Sequence, residues 1–101
     1  KAYDVLKMAT INGAKALHMG DEIGSLEAGK QADVIAIDLS AIATQPVFDP
    51  ISHLVYAADR NQVSHVWVNG EAVVQERVLT RLNQADILAN AQEWKRKIVA
   101  A

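Results

Sequence analysis

Glu22 to Asp38, EIGSLEAGKQADVIAID, decides how the rest of the chain is read. Glu27-Ala28-Gly29-Lys30 predicts a tight turn, with glycine supplying backbone freedom. Ala32 to Leu39 then predicts a strand. Along it Val34 and Ala36 point one way, and Ile35 and Ile37 the other. Both faces are apolar, so both need cover. A small free-standing sheet more often leaves one face polar. The expectation is that part of the cover lies in chain not included in these residues.

Working outward, Val5, Leu6, Met8, Ala9, Ile11, Ala14, Ala16 and Leu17 recur at helical spacing. Two short helices are expected, Tyr3 to Ala9 and Ile11 to His18, with a kink at Thr10 to Gly13. Thr10 is a candidate cap for the second. Gly20 is the expected left-handed stop. Ser40 to Val47 reads as an irregular connection. Asp49-Pro50 is a strong helix start, combining a capping carboxylate with proline at the first helical position. Ile51, Leu54, Val55 and Ala58 form that helix's apolar stripe, with an expected end near Asp59. Val63 to Val68 alternates as a strand, and Asn69-Gly70 signals a two-residue hairpin. Glu71 to Glu76 returns antiparallel, and Val78 to Thr80 continues as a short third strand. Asn83 caps a last helix with Asp86 in its first turn. Ile87, Leu88, Ala91, Trp94 and Ile98 mark its expected buried face.

Composition bounds the function classes. Half of the 101 residues are hydrophobic and the net charge is −2. That charge gives no electrostatic footprint for nucleic acid or an anionic membrane, and neither is an expected partner. With no cysteine there is neither a disulfide framework nor a thiolate metal site. No apolar run is long enough to span a bilayer, and no secretory signal pattern opens the chain. The expected location is the cytoplasm. The chain starts at Lys1, directly in a helical pattern, and is expected to be a piece of a longer polypeptide.

Several constellations suggest chemistry and fail on geometry. His18, His53 and His65 lack a chelating spacing, whereas zinc needs three or four converging ligands. Ser52 and His53 with Asp49 suggest a hydrolase triad. Adjacent helical residues point about 100° apart, so Ser52 and His53 do not face each other. Gly24 to Gln31 nearly matches a phosphate-binding loop, but Gln31 stands where a metal-binding hydroxyl belongs. It also precedes a strand, whereas such a loop follows one. Lys95-Arg96-Lys97 suits the negative end of a terminal helix. Trp67 and Trp94 lack the basic groove that accompanies base stacking and read as packing or interface residues.

Met8 to Leu17 (MATINGAKAL), Ile23 to Asp33 (IGSLEAGKQAD) and Val66 to Gly70 (VWVNG) carry a resemblance. In order and spacing they are similar to the C-terminal end of amidohydrolase-superfamily enzymes. Pro46 to Ala58 (PVFDPISHLVYAA) narrows this to the aminohydrolase branch of methylthioadenosine/S-adenosylhomocysteine deaminases and triazine hydrolases. The resemblance implies a mixed α and β fold, the C-terminal part of a (β/α)8 barrel enzyme. Residues 1–19 would be terminal barrel helices. Residues 20–82 would be part of a small β-sandwich, with an antiparallel hairpin and an inserted short helix. Residues 83–101 would be the closing helix.

It further implies a divalent metal, zinc or iron, in the parent enzyme, and a metal-activated water attacking the carbon that bears the leaving amine. The family's metal-binding histidines and aspartate have no matching positions here. No catalytic, cofactor-binding or metal-binding residue is therefore assigned to this segment, which is expected to bind no metal and to be inactive alone. Its expected partners are the barrel and N-terminal sandwich strands of the parent. The parent's small-molecule substrate and a possible homo-oligomer contact, through the Asp49 to Asp59 helix or the last helix, complete the set. Two departures are local: Arg77 stands in a turn where glycine is common, and Asn83 where aspartate often caps. The competing readings are a non-enzymatic small assembly module, and the same superfamily acting on a triazine, guanine, cytosine or cyclic amide.

Overall fold

A computed structural model describes residues 1–101. Two short helices open the chain, α1 (Ala2–Ala9) and α2 (Ile11–Ala16). The kink falls at Thr10, whose backbone leaves the helical region. Thr10 does not cap α2 as expected. Its hydroxyl donates backwards to the Leu6 carbonyl (2.7 Å), a bond that closes α1. The left-handed residue after α2 is His18 (φ 60°), not Gly20. Gly20 is needed for room: a Cβ there would lie 2.9 Å from Lys15 Cγ.

The sheet is antiparallel, in the order β1 (Val34–Ile37), β2 (Val63–Val68), β3 (Glu71–Gln75) and β4 (Val78–Leu79). β1 is shorter than the expected Ala32 to Leu39, because regular pairing stops at both ends. Its flanks stay tied: Gly70 N donates to Ala32 O (2.9 Å) and Asp38 N to Gln62 O (2.8 Å). Val34 lies opposite Trp67 and Ala36 opposite His65. The register shifts beyond Ala36, so Ile37 meets Val63 and Ser64 bulges out.

Asn69 (φ 49°) and Gly70 (φ 79°) make the β2–β3 connection, the left-handed pair a type I′ turn requires. The β3–β4 turn uses Glu76 (φ 48°) and Arg77 (φ 65°), residues poorly suited to that backbone. Contacts offset the cost at Arg77. Its backbone N–H donates to Ser64 O (2.8 Å), and its Nε donates to Asn61 O (3.1 Å).

Between β1 and β2 the chain makes a 3-10 turn at Ile42–Thr44, helix α3 (Pro50–Tyr56) and a second 3-10 turn at Arg60–Gln62. Asp49 caps α3 as its sequence implies, accepting from Ile51 N at 3.0 Å. The helix ends at Tyr56 rather than near Asp59, with the Ala57 and Ala58 amides both turning onto His53 O. α1 rests on α3. α4 (Gln84–Ala100) closes the chain, capped by Asn83 Oδ1 accepting from Asp86 N at 3.2 Å.

Little of this is covered. Only Ala14, Thr44 and Gln62 are buried. The expected buried face of α4 is bare: Ile87, Leu88, Ala91, Trp94 and Ile98 are all exposed. α4 makes no extended contact with any other helix or strand. Ile35 on β1 is 54% exposed. The radius of gyration is 17.4 Å, against about 13 Å for a compact chain of 100 residues. The apolar faces of α4 and of Ile35 on β1 are not matched by contacts among these residues.

Candidate functional site

The three histidines do not converge. His18 is exposed at the end of α2. His53 lies on α3 with Nδ1 3.2 Å from Asp49 O. His65 lies on β2 with Nδ1 2.8 Å from Ser64 Oγ, its ring stacked on Trp67 at 5.4 Å. No group of three His, Asp or Glu side chains is placed to hold a metal ion. The residues present therefore do not fit the metal centre that the resemblance implies for the parent.

Ser52, His53 and Asp49 do not form a triad. Ser52 Oγ donates to Asp49 Oδ2 (3.0 Å), so the acid holds the hydroxyl instead of orienting the imidazole. The Ser64–His65 pair has the hydrogen bond of a nucleophile and base, but no acid group orients the ring. Arg96 is paired with Glu93, and Lys97 Nζ lies 5.0 Å from the Trp94 ring centre. Arg96 and Lys97 thus make their contacts within their own helix.

The Gly24 to Gln31 segment is the most organised polar feature. Lys30 has a side chain only 12% exposed. Its ammonium donates to Gly20 O (2.8 Å) and Ser25 Oγ (2.7 Å) and pairs with Glu27 Oε2 (3.0 Å). Ser25 Oγ in turn donates to Glu27. These bonds hold the Glu27 carboxyl below its ordinary value, the Ser25 hydroxyl first and then the Lys30 ammonium. All three donors of Lys30 are occupied, which leaves none for a phosphate. Gly24 (φ 95°) presses its backbone onto α2; a Cβ there would lie 2.7 Å from Ala14 Cβ.

A second polar cluster sits at the far end of the sheet. Gln62 Nε2 donates to Asp38 O (3.1 Å) and Thr44 Oγ1 (3.2 Å), and Thr44 Oγ1 donates to Leu39 O (2.8 Å). The Asp38 carboxyl is lowered, chiefly by Ser40 and then by the nearby Arg77. Sequence reasoning placed Lys30 only in a turn and a failed phosphate loop, and passed over Thr44 and Gln62. Their roles depend on partners up to 24 residues away, and no local spacing reveals those partners.

An open apolar hollow of about 550 Å³ lies between α1, α2, the Ile23 to Leu26 segment and the start of β1. Leu6, Leu17, Ile23, Leu26 and Ile35 line it. Its polar neighbours are already engaged. Thr10 donates to Leu6 O, Asp33 Oδ1 accepts from Asn69 N (2.7 Å), and Ser25 belongs to the Lys30 cluster. The hollow offers contact area and no free polar anchor.

The family model described as the amidohydrolase family matches residues 1–73. A 5-methylthioadenosine/S-adenosylhomocysteine deaminase of Teredinibacter turnerae is 52% identical over 99 residues, covering 98% of this chain and 22% of that protein. An S-triazine hydrolase of Gordonia rubripertincta is 47% identical over 78 residues, covering 77% and 16%. Among solved structures, an adenosine deaminase from Xanthomonas campestris with bound zinc superposes with a TM-score of 0.95 at 44% identity. It covers all of this chain and 23% of its own. The chain spans about a fifth of the length of such relatives, and its mixed α and β fold is that of the C-terminal part of an amidohydrolase. These 101 residues belong to the amidohydrolase family.

Proposed function

We propose that the protein is a metal-dependent aminohydrolase that deaminates an adenosine-type substrate, methylthioadenosine or S-adenosylhomocysteine, and that these 101 residues are its C-terminal structural segment. The observation that carries the substrate class is the 52% identity to a deaminase of that name across nearly the whole chain. In this reading residues 1–19 are terminal barrel helices, 20–82 are part of a β-sandwich and 83–101 are the closing helix. The metal, zinc or iron, supplies an activated water when bound. It and its ligands lie in the remainder of the chain, since His18, His53 and His65 cannot meet around one ion.

The segment contributes position, not chemistry. α1 and α2 brace the barrel, β1 and the hairpin extend the sandwich, and the isolated segment is inactive. The proposed location is the cytoplasm, with α3 or α4 available for a homo-oligomer contact. A second reading keeps the family and changes the substrate to an s-triazine, favoured by the 47% identity to a triazine hydrolase. The full-length enzyme carrying this segment is expected to hold zinc or iron and to release ammonia from methylthioadenosine. Turnover of chlorotriazines with no activity on the nucleoside would move the assignment to the second reading. Ammonia release by the purified 101 residues would contradict the inactive role.

A further inference from the structure

We infer that Asn69-Gly70 is a site of intramolecular deamidation, and that residues 32–33, which lead into β1, are the gate that sets its rate. The reaction draws on the chain and water alone, so the inference stands apart from any choice of substrate.

Asparagine deamidates when the backbone nitrogen of the next residue attacks its side-chain carbonyl carbon. A new N–C bond closes a five-membered imide, and the bond to the side-chain amide nitrogen breaks, releasing ammonia. Water then opens the imide at either carbonyl, giving aspartate or isoaspartate. One water is consumed and one ammonia released, with no oxidant or reductant. Glycine in the next position leaves the attacking nitrogen unhindered by a Cβ and its backbone free to turn. Of five asparagines, only Asn12 and Asn69 precede glycine.

The structure separates these two pairs. Asn12 lies inside α2, next to a closely packed glycine. A Cβ on Gly13 would lie 3.1 Å from Met8 O, and Ala14 beyond it is buried. Asn69 and Gly70 instead form an exposed hairpin tip. Nothing lies within 4 Å of a Cβ built on Gly70, which leaves room for the ring.

The gate is a pair of hydrogen bonds. Gly70 N, the nucleophile, donates to Ala32 O (2.9 Å), and Asn69 N donates to Asp33 Oδ1 (2.7 Å). The first bond occupies the attacking nitrogen, and the second holds the turn against rotation. Both end on adjacent residues, so they break together when residues 32–33 lift from the tip. Deamidation then follows local opening. Its product damages the gate. Isoaspartate adds a backbone carbon to a two-residue turn whose length fixes the β2–β3 register. Either product also puts a negative charge on the residue that the Asp33 carboxylate holds, and like charges repel.

The test uses a full-length graft, with these residues replacing the aligned segment of the Teredinibacter turnerae relative. The graft is aged in mildly alkaline buffer, folded and, in parallel, unfolded in denaturant. Tryptic peptides 8–15 and 61–77 carry the two pairs, and fragment masses locate the change. In the folded graft, aspartate and isoaspartate are expected at position 69, several-fold more slowly than in denaturant, with peptide 8–15 intact. Asp33→Ala is expected to speed the folded reaction several-fold and leave the unfolded rate alone. Asp33→Asn keeps a carbonyl acceptor and stays near the parent rate. If the alanine variant does not fold, the parent still reports: Gly70 amide exchange and deamidation are slowed by folding to within a few-fold of each other.

No product at position 69 while the unfolded graft is converted overturns the site. So does reaction at Asn12 as fast as at Asn69 in the folded graft. Equal folded and unfolded rates, a folded Asp33→Ala graft at the parent rate, or a freely exchanging Gly70 amide beside a slow Asn69 overturns the gate.

Discussion

Lys30 shows how one side chain can organise a loop that local propensity leaves open. It sits nearly buried, with three partners for three donors. Replacing it by methionine keeps the packing and strips Gly20 O and Ser25 Oγ of their donor. The expected loss is about 1–3 kcal/mol, read as the shift in denaturation midpoint of the grafted full-length enzyme. pH reports on the same cluster. The Glu27 carboxyl is held low by Ser25 and then Lys30. A carboxylate lowered in the folded state adds stability above its ordinary value of 4.5, and that stability is lost as pH falls through the folded-state value. Amides at residues 22–31 are therefore expected to exchange faster, after correction for intrinsic rates, once pH drops below that ordinary value. Glu27→Gln is expected to flatten the change. At the other end of the sheet, Glu76 occupies a left-handed position that asparagine tolerates better. Glu76→Asn is expected to raise graft stability by about 0.5–1 kcal/mol, read by the same denaturation. Arg77 is left-handed too, and its bonds to Asn61 O and Ser64 O offset the strained backbone.

At the scale of elements, the legible features were those whose cause is local. Asp49-Pro50 places the start of α3, Asn69-Gly70 the hairpin turn, and Asn83 the start of α4, since each carries its own geometry in two to four residues. α2 and α3 end earlier than their sequence implies because local amides close them, Leu17 N onto Gly13 O and Ala14 O, and Ala57 N and Ala58 N onto His53 O, whereas β1 ends where Asp38 N meets the distant Gln62 O. Gly20 was read as the left-handed residue, yet His18 takes that role while Gly20 makes room for Lys15. α4 is the sharpest case. Its apolar stripe is real, but nothing in this chain covers it. A helix without tertiary support depends on its caps. Asn83→Ala is expected to cost about 1 kcal/mol of helix stability, seen as a clear fall in the free chain's ellipticity and a smaller one in the graft.

At the scale of the molecule, the apolar faces of β1, α4 and the hollow beneath α2 make one statement. Half the residues are hydrophobic, yet three are buried. The two-sided apolar strand at Val34 to Ile37 already implied this, because it demanded cover on both faces. Of the candidate site, the sequence displays only the lack of chelating spacing among His18, His53 and His65, because such spacing is local. In the proposed reading the catalytic groups belong to other parts of the enzyme, and no pattern within these residues specifies a substrate. The central claim is that this surface is contact surface for the rest of an amidohydrolase. Amide hydrogen exchange at Val34 to Ile37, compared between the free chain and the full-length graft, tests it most directly. Weak protection in the free chain and strong protection in the graft is the expected result. Equal, strong protection in a monomeric free chain that unfolds cooperatively would contradict it.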